Sequence, residues 1–328
     1  MLGGPDPLRV VFGPNVTWAL NVALQGMLQP GDHVVTSSIE HNSVMRPLRA
    51  LERSGVEVSV VRCAPDGSLD PGHIRASLSP RTKMVVLSHA SNVLGTLLPI
   101  AEVGAITREV GITFLVDSAQ TAGAVPLHTE QLGIDLLAFT GHKSLCGPMG
   151  TGGLIFGPRI DPRSISPLIY GGTGSASDRE LQPDFLPDRF ESGTPNVVGL
   201  AGLAAGVRWV LERGVESIRR DERALASSLI DGLSAIRGVT VLGPSDNACR
   251  TATVSFTMDR LSPSEAALAL DEDHRVLCRA GLHCAPACHT TAGTFPQGAI
   301  RFSLGPMNTP RDVERAIEAV AAVRAGTE

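Results

Sequence analysis

The chain has 328 residues, 43% of them hydrophobic and 19% charged, with a formal net charge of −5. That balance, with a pI near 6.0, argues against nucleic acid or an anionic membrane as the main partner, and no apolar run reaches the roughly 18 residues of a spanning helix. Six cysteines, at 63, 146, 249, 278, 284 and 288, are too scattered for a disulfide scaffold, and no secretory leader is visible; thiols in a reducing cytoplasm are expected.

The first predicted strand is "LRVVF" (8–12), followed by a helix over 17–28 ("TWALNVALQGML"). Strands follow at 33–38, 56–61, 83–90, 113–119, 136–142 and 152–158, with a helix over 100–111 between the third and fourth of these runs. Several runs are continuously apolar, as expected when helices cover both faces of a parallel sheet. The strand–helix–strand rhythm predicts a doubly wound α/β layer. After "RFESGTPN" (189–196) come helices over 197–214 and 215–237, strands at 251–258, 276–283 and 299–305, and a last helix over 310–325. This predicts a large domain, 1–213, and a smaller α+β domain, 214–328.

Ligands of such sheets collect at the carboxyl ends of the strands. The polar residues expected there are Ser88 to Asn92, Asp117 to Gln120, and Thr140 to Lys143. "GHKS" (141–144) is not a phosphate loop, because that pattern needs Gly directly before Lys and position 142 is His. No GxGxxG follows a strand, and no GxSxG elbow exists. "HCAPACH" (283–289) gathers two Cys and two His, but a structural zinc site usually pairs two such clusters, so no metal is expected.

Lys143 then reads as an amine that condenses with an aldehyde cofactor, a role favoured by desolvation at a rigid element end. Pyridoxal phosphate needs a carboxylate at its ring nitrogen, donors at its 3-oxygen and an anion cup. Asp117 suits the first, Asn92 and Gln120 the second, and Thr140 and His142 the third. The loop "GPNVT" (13–17) adds amides at a helix start, where the dipole favours an anion.

Seven ordered motifs carry a resemblance: "EHNS", "SHASNVLGTLLPI", "VDSAQTAG", "FTGHKSLCGPMGTGGL", "GGTGS", "ESGTPN" and "RAGLHCAP" with "IRFSLGPMNT". The chain resembles the cysteine desulfurase (NifS-like) branch of the class V aminotransferases from about residue 8 to its C-terminus. The resemblance implies the aspartate-aminotransferase-like fold type I of pyridoxal-phosphate enzymes, with a large mainly parallel sheet domain and a smaller α+β domain. It implies a sulfurtransferase that converts L-cysteine to L-alanine, leaves a persulfide on Cys284 and passes the sulfur to an acceptor protein. Lys143 carries the cofactor, Asp117, Gln120 and Asn92 address its ring, His41 stacks on it, and Val16, Thr17, Thr140 and His142 form the phosphate cup. Thr173 reaches the phosphate of a neighbouring subunit, which implies a homodimer. Arg301 clamps the substrate carboxylate, and Arg279 is a second arginine near the substrate. Cys146 reads as structural; Cys288 reads as a turn thiol, or as one that resolves an oxidised Cys284.

Two departures from the family pattern stand out. The phosphate loop reads Asn15-Val16-Thr17-Trp18, with Trp18 where the family has an acid. The "NAAT"-type segment that precedes the first strand in the family, and lines the substrate site, has no counterpart here. Two other readings therefore stay open: a selenocysteine lyase or other class V lyase or epimerase, and a shortened cofactor-binding homologue with little turnover.

Overall fold

A computed structural model describes residues 1–4 and 6–326 of the chain. It divides into two compact units, the first comprising Met1–Val61, Asp70–His89 and Pro99–Val215, and the second Arg62–Leu69, Ala90–Leu98 and Glu216–Glu328.

In the first unit the apolar runs become seven strands: β1 (Val10–Gly13), β2 (His33–Ser37), β3 (Glu57–Val61), β4 (Thr82–Ser88), β5 (Thr113–Asp117), β6 (Leu136–Thr140) and β7 (Gly152–Phe156). They pair in the order β1-β7-β6-β5-β4-β2-β3. The pairs among β2 to β6 are parallel, whereas β7 runs antiparallel to both β6 and β1. The reversal follows from the short turn-rich connection between Thr140 and Gly152, which has no crossover helix to bring the chain back in the same direction. β2, β6 and β7 are buried at every position, the signature of a sheet covered on both faces.

The helices of this unit are α1 (Val16–Met27), α2 (Asn42–Arg53), α3 (Pro71–Ala76), α4 (Ile100–Val110) and α5 (Val197–Arg213). Asn15 caps α1 by accepting from the Trp18 amide, and His41 caps α2 through Ser43. Gly111, at φ 73°, ends α4 in the left-handed region that glycine enters without penalty. One face of α1 supplies Ala19, Leu20, Ala23 and Leu24 to a core shared with Val34, Met84, Leu115 and Phe156.

The second unit holds α6 (Val215–Ser234, from Glu216 on), β8 (Val239–Val241), β9 (Thr253–Met258), α7 (Pro263–Glu272), β10 (Arg279–Gly281), α8 (Pro286–Ala292), β11 (Ala299–Ser303) and α9 (Pro310–Ala325). Its sheet is antiparallel, in the order β10-β11-β9-β8. Full capping boxes start α7 at Ser262/Glu265 and α9 at Thr309/Asp312. β10 is much shorter than the run at 276–283 predicts, because Gly281, His283 and Cys284 all take positive φ and turn the chain out of the sheet. Residues 90–98 join this unit through Ser255, whose hydroxyl donates to the Val93 carbonyl (2.6 Å), and Arg250, which donates to the Leu94 carbonyl (3.3 Å).

Candidate active site

Adjacent strands of the first unit end on polar side chains: Ser37 on β2, Ser88 on β4, Asp117 on β5 and Thr140 on β6. Parallel register sets Ser88 beside Asp117, and Asp117 beside Ala138 two residues before Thr140. Asp117 is buried; its Oδ1 accepts from the Ala119 amide (2.8 Å) and its Oδ2 from the Ser43 hydroxyl (3.4 Å). Burial pushes its carboxyl above the ordinary range, while the Ala119 amide and the Lys143 ammonium pull it down. A cationic ring nitrogen would favour the ionised form further. Gln120 follows in the same turn, half-buried.

Lys143 lies in the turn after β6 and is exposed, not desolvated as the strand-end reading expects, because the chain leaves the sheet at Gly141 before reaching it. Its charge is still felt by Asp117 and by His142. Burial first, then Lys143, lowers the His142 pKa, so the imidazole is neutral, and its Nδ1 lies 3.0 Å from the Thr140 hydroxyl. His41 is half-buried at the start of α2 and its Nδ1 accepts from the Ser43 amide (3.0 Å). Ser43 therefore links the His41 ring to the Asp117 carboxylate.

The anion cup rests on helix geometry. The first-turn amides of α1, at Val16 and Thr17, have no intrahelical carbonyl to bond, and the helix dipole adds to them. Gly152 pairs with Gly13 on one side and Thr140 on the other. A Cβ at 152 would meet Asn15 Cα and the Phe139 carbonyl oxygen, both at 2.7 Å, so only glycine lets β7 lie this close to the start of α1. Trp18, where an acid was expected, packs its ring over the bare α-carbon of Gly13. Thr173 is half-buried in an irregular loop, its hydroxyl 3.1 Å from that of Ser175.

In the second unit, Arg279 on β10 stands directly opposite Arg301 on β11. Like charges in cross-strand register are unfavourable unless an anion lies between or beside them. Burial first, then Arg279, depresses the Arg301 guanidinium, and the nearby Cys284 sulfur opposes the shift. Arg301 Nη1 donates to the Asn92 carbonyl (3.0 Å), while its buried Nε has no partner among the described residues. Asn92 Nδ2 donates to the His283 carbonyl (2.7 Å), and its buried Oδ1 is likewise unpartnered. Cys284 is exposed at the tip of the β10–α8 loop.

Sequence reasoning missed Glu40. Its carboxyl is wholly buried, accepts from the Ser88 amide (2.9 Å) and from the Ser88 (2.6 Å) and Ser37 hydroxyls, and so ties β2 to β4. The signal available was a lone acid between Ile39 and the ring-stacking candidate His41. The residues of "HCAPACH" do not converge on a metal: His283 and His289 stack on each other, Cys288 is buried near Ser91 (3.5 Å), and Cys284 points outward to solvent. Among the described residues no group of three His, Cys, Asp or Glu could hold a metal ion, and no helix is long and apolar enough to cross a membrane.

The class-V aminotransferase family model matches residues 1–316. A probable cysteine desulfurase of Methanothermobacter thermautotrophicus is 33% identical over 93% of this chain and 77% of its own length. A probable cysteine desulfurase of Pyrococcus abyssi is 34% identical over 93% and 76%. Among solved structures, the apo cysteine desulfurase of Thermococcus onnurineus superposes with a TM-score of 0.90 at 31% identity, covering 97% of this chain and 80% of that one. An Escherichia coli cysteine desulfurase in its S-sulfonic acid form gives 0.88 at 28% identity, covering 97% and 79%.

Proposed function

Because the chain belongs to the class-V aminotransferase family, whose members depend on pyridoxal phosphate, we propose that it is a cysteine desulfurase, turning L-cysteine into L-alanine and a persulfide on Cys284. The donor set fits the cofactor: a buried carboxylate for the ring nitrogen (Asp117), first-turn amides with Thr140 and His142 for the phosphate, and Lys143 for the aldehyde. When bound, pyridoxal phosphate supplies an electron sink for negative charge developing at the substrate α-carbon.

The chain's own residues do the rest. Asp117 keeps a proton on the ring nitrogen, His41 covers the ring, and Asn92 Oδ1 and Gln120 supply polar contacts to its substituents. Lys143 Nζ takes the α-proton and later returns it. Arg301, with a buried Nε still able to donate, binds the substrate carboxylate, and Arg279 adds positive charge beside it. Cys284 Sγ attacks the substrate sulfur as thiolate. The Sγ–S bond forms, the substrate Cβ–S bond breaks, and its electron pair stays on carbon, which takes up a proton to become alanine. Arg301, rather than His283, supplies the cation for the thiolate, because burial and then Arg301 lower the His283 pKa to about 4.

The observation that carries the reading is Cys284, an exposed thiol on a strained turn close enough to Arg301 to interact electrostatically. None of the six cysteines is in a disulfide, which supports a reducing, cytoplasmic setting. Exposed Ile169, Tyr170 and Leu181, on the loops flanking Thr173, support a homodimer in which Thr173 serves the neighbouring cofactor; a monomeric mass in sedimentation overturns that part. A protein acceptor then takes the sulfur. The test is Cys284→Ser, which should keep the cofactor's visible band but lose persulfide, detected by mass spectrometry, and alanine formation. Alanine made at the parent rate by that variant refutes the proposal. Turnover of selenocysteine with none of cysteine supports the lyase reading in its place.

A further inference from the structure

The loop that carries Cys284 holds two consecutive non-glycine residues in the left-handed region, His283 at φ 49° and Cys284 at φ 58°. Each is unfavourable for a residue that carries a Cβ, and such pairs persist only where neighbouring contacts over-determine them. The Asn92 amide on the His283 carbonyl and the Ala285 amide on the Leu282 carbonyl (2.9 Å) are two such contacts. The third is a chain of side chains behind the loop.

His289, on α8, is fully buried. Its Nδ1 lies 2.7 Å from the Thr294 hydroxyl, and its Nε2 lies 3.4 Å from His283 Nδ1, with the two rings stacked at 5.6 Å. His283 Nε2 lies 3.3 Å from the Arg279 carbonyl. A carbonyl only accepts, so His283 carries its proton on Nε2 and leaves Nδ1 as an acceptor. His289 must then carry its proton on Nε2, where it faces His283 Nδ1. That leaves His289 Nδ1 to accept from the Thr294 hydroxyl. The chain therefore runs one way, Thr294 to His289 to His283 to the Arg279 carbonyl, with each ring neutral. A proton added to His283 would set N–H against N–H. The charged and titratable groups facing His283 are Arg301 on β11, Arg279 on β10 and His289 on α8, and none is an anion that would stabilise an imidazolium.

We propose that His289 and Thr294 are positioning residues of the sulfur-accepting loop: they lock His283 in one neutral tautomer and so hold Cys284 in the left-handed turn that presents its sulfur. This rests on the reading of Cys284 as the sulfur acceptor. His289 and Thr294 carry none of the catalytic or binding roles assigned above. The Thr294 backbone amide bonds the His289 carbonyl (2.8 Å), so a change confined to the Thr294 hydroxyl leaves the local backbone tied.

Thr294→Val removes the hydroxyl at nearly constant volume. With that donor gone, His289 Nδ1 is left a buried acceptor without its hydroxyl while Nε2–H keeps His283 Nδ1 as its acceptor, so the ring loses the contact that fixes its tilt and its hold on His283 loosens. Thr294→Val should therefore lower kcat about tenfold with KM for cysteine unchanged, the scale expected for a mispositioned reacting group. It should also change the rate of Cys284 alkylation by iodoacetamide severalfold across the range from pH 5 to pH 8, because the turn no longer holds the sulfur in one orientation. Thr294→Ser should restore both, and His289→Leu should exceed Thr294→Val in the same direction. Parent kcat and an unchanged alkylation profile for Thr294→Val, in a protein whose Cys284→Ser variant is inactive, overturn this inference alone. If Cys284→Ser still transfers sulfur, the underlying reading fails instead, whatever Thr294→Val does.

Discussion

Glu40 offers the sharpest quantitative test of the site's electrostatics. Burial, opposed by the Ser37 and Ser88 hydrogen bonds and reinforced by the charge of Asp117, raises its pKa from 4.5 to about 7. The folded value lies above the unfolded one, so the stability it contributes is fully present below about pH 4.5 and is lost as pH rises through about 7. At about 1.36 kcal/mol per pH unit over that window, the first unit should lose about 2 to 3 kcal/mol between pH 5 and pH 8 from this carboxyl. Glu40→Gln keeps the shape and has no proton to lose, so it should flatten the dependence by that amount. The assay is urea unfolding without added cofactor, followed by tryptophan fluorescence. Both tryptophans, Trp18 and Trp209, belong to the first unit, so the signal ignores Glu222, which burial also raises to about 7 in the second unit. A Glu40→Gln variant that loses as much stability as the parent between pH 5 and pH 8 would refute the reasoning.

Gly152→Ala forces a Cβ to within 2.7 Å of backbone atoms of Asn15, which caps α1, and of Phe139 on β6. Overpacking of about 1–3 kcal/mol should fall on the α1 amides and weaken cofactor binding roughly 5- to 150-fold by absorbance titration; affinity within twofold of the parent contradicts the cup. Arg301→Lys keeps the charge but loses the planar fork and the unpartnered Nε. KM for cysteine should rise about 10- to 100-fold, the scale of a lost charge-assisted bidentate pair, with the cofactor band intact; an unchanged KM removes Arg301 from the carboxylate site.

The parts of the fold legible in the sequence are those that local chemistry decides. Continuous runs such as "VVLS" and "FLVD" announce buried parallel strands, and the polar residue that ends each run marks where a ligand can meet the sheet. Direction was less legible: nothing in "GGLIF" says that β7 is antiparallel, because strand sense depends on the length and path of the connection. The assignment of residues 90–98 to the second unit was invisible for a similar reason. Their partners, Arg250, Thr251 and Ser255, lie far down the chain, and no local period reports such pairing. The early end of β10 was hidden because His283 and Cys284 occupy conformations that their residue types rarely adopt. Glu40 escaped because a single buried polar residue has no pattern, and His289, weighed only as part of "HCAPACH", had no visible role until its partners Thr294 and His283 were in place.

The membership of residues 90–98 has a consequence for the order in which the protein is made. Val93 and Leu94 are fully buried, yet Ser255, which donates to the Val93 carbonyl, is 162 residues further on. At roughly 5–20 residues per second, a ribosome takes about 8 to 32 seconds to cover that distance. Through that interval an apolar segment leading to Asn92 waits outside the ribosome without the strand it will join. The second unit is therefore completed only near the end of synthesis, and a nascent chain stalled before residue 255 would expose an adhesive stretch that chaperones must cover.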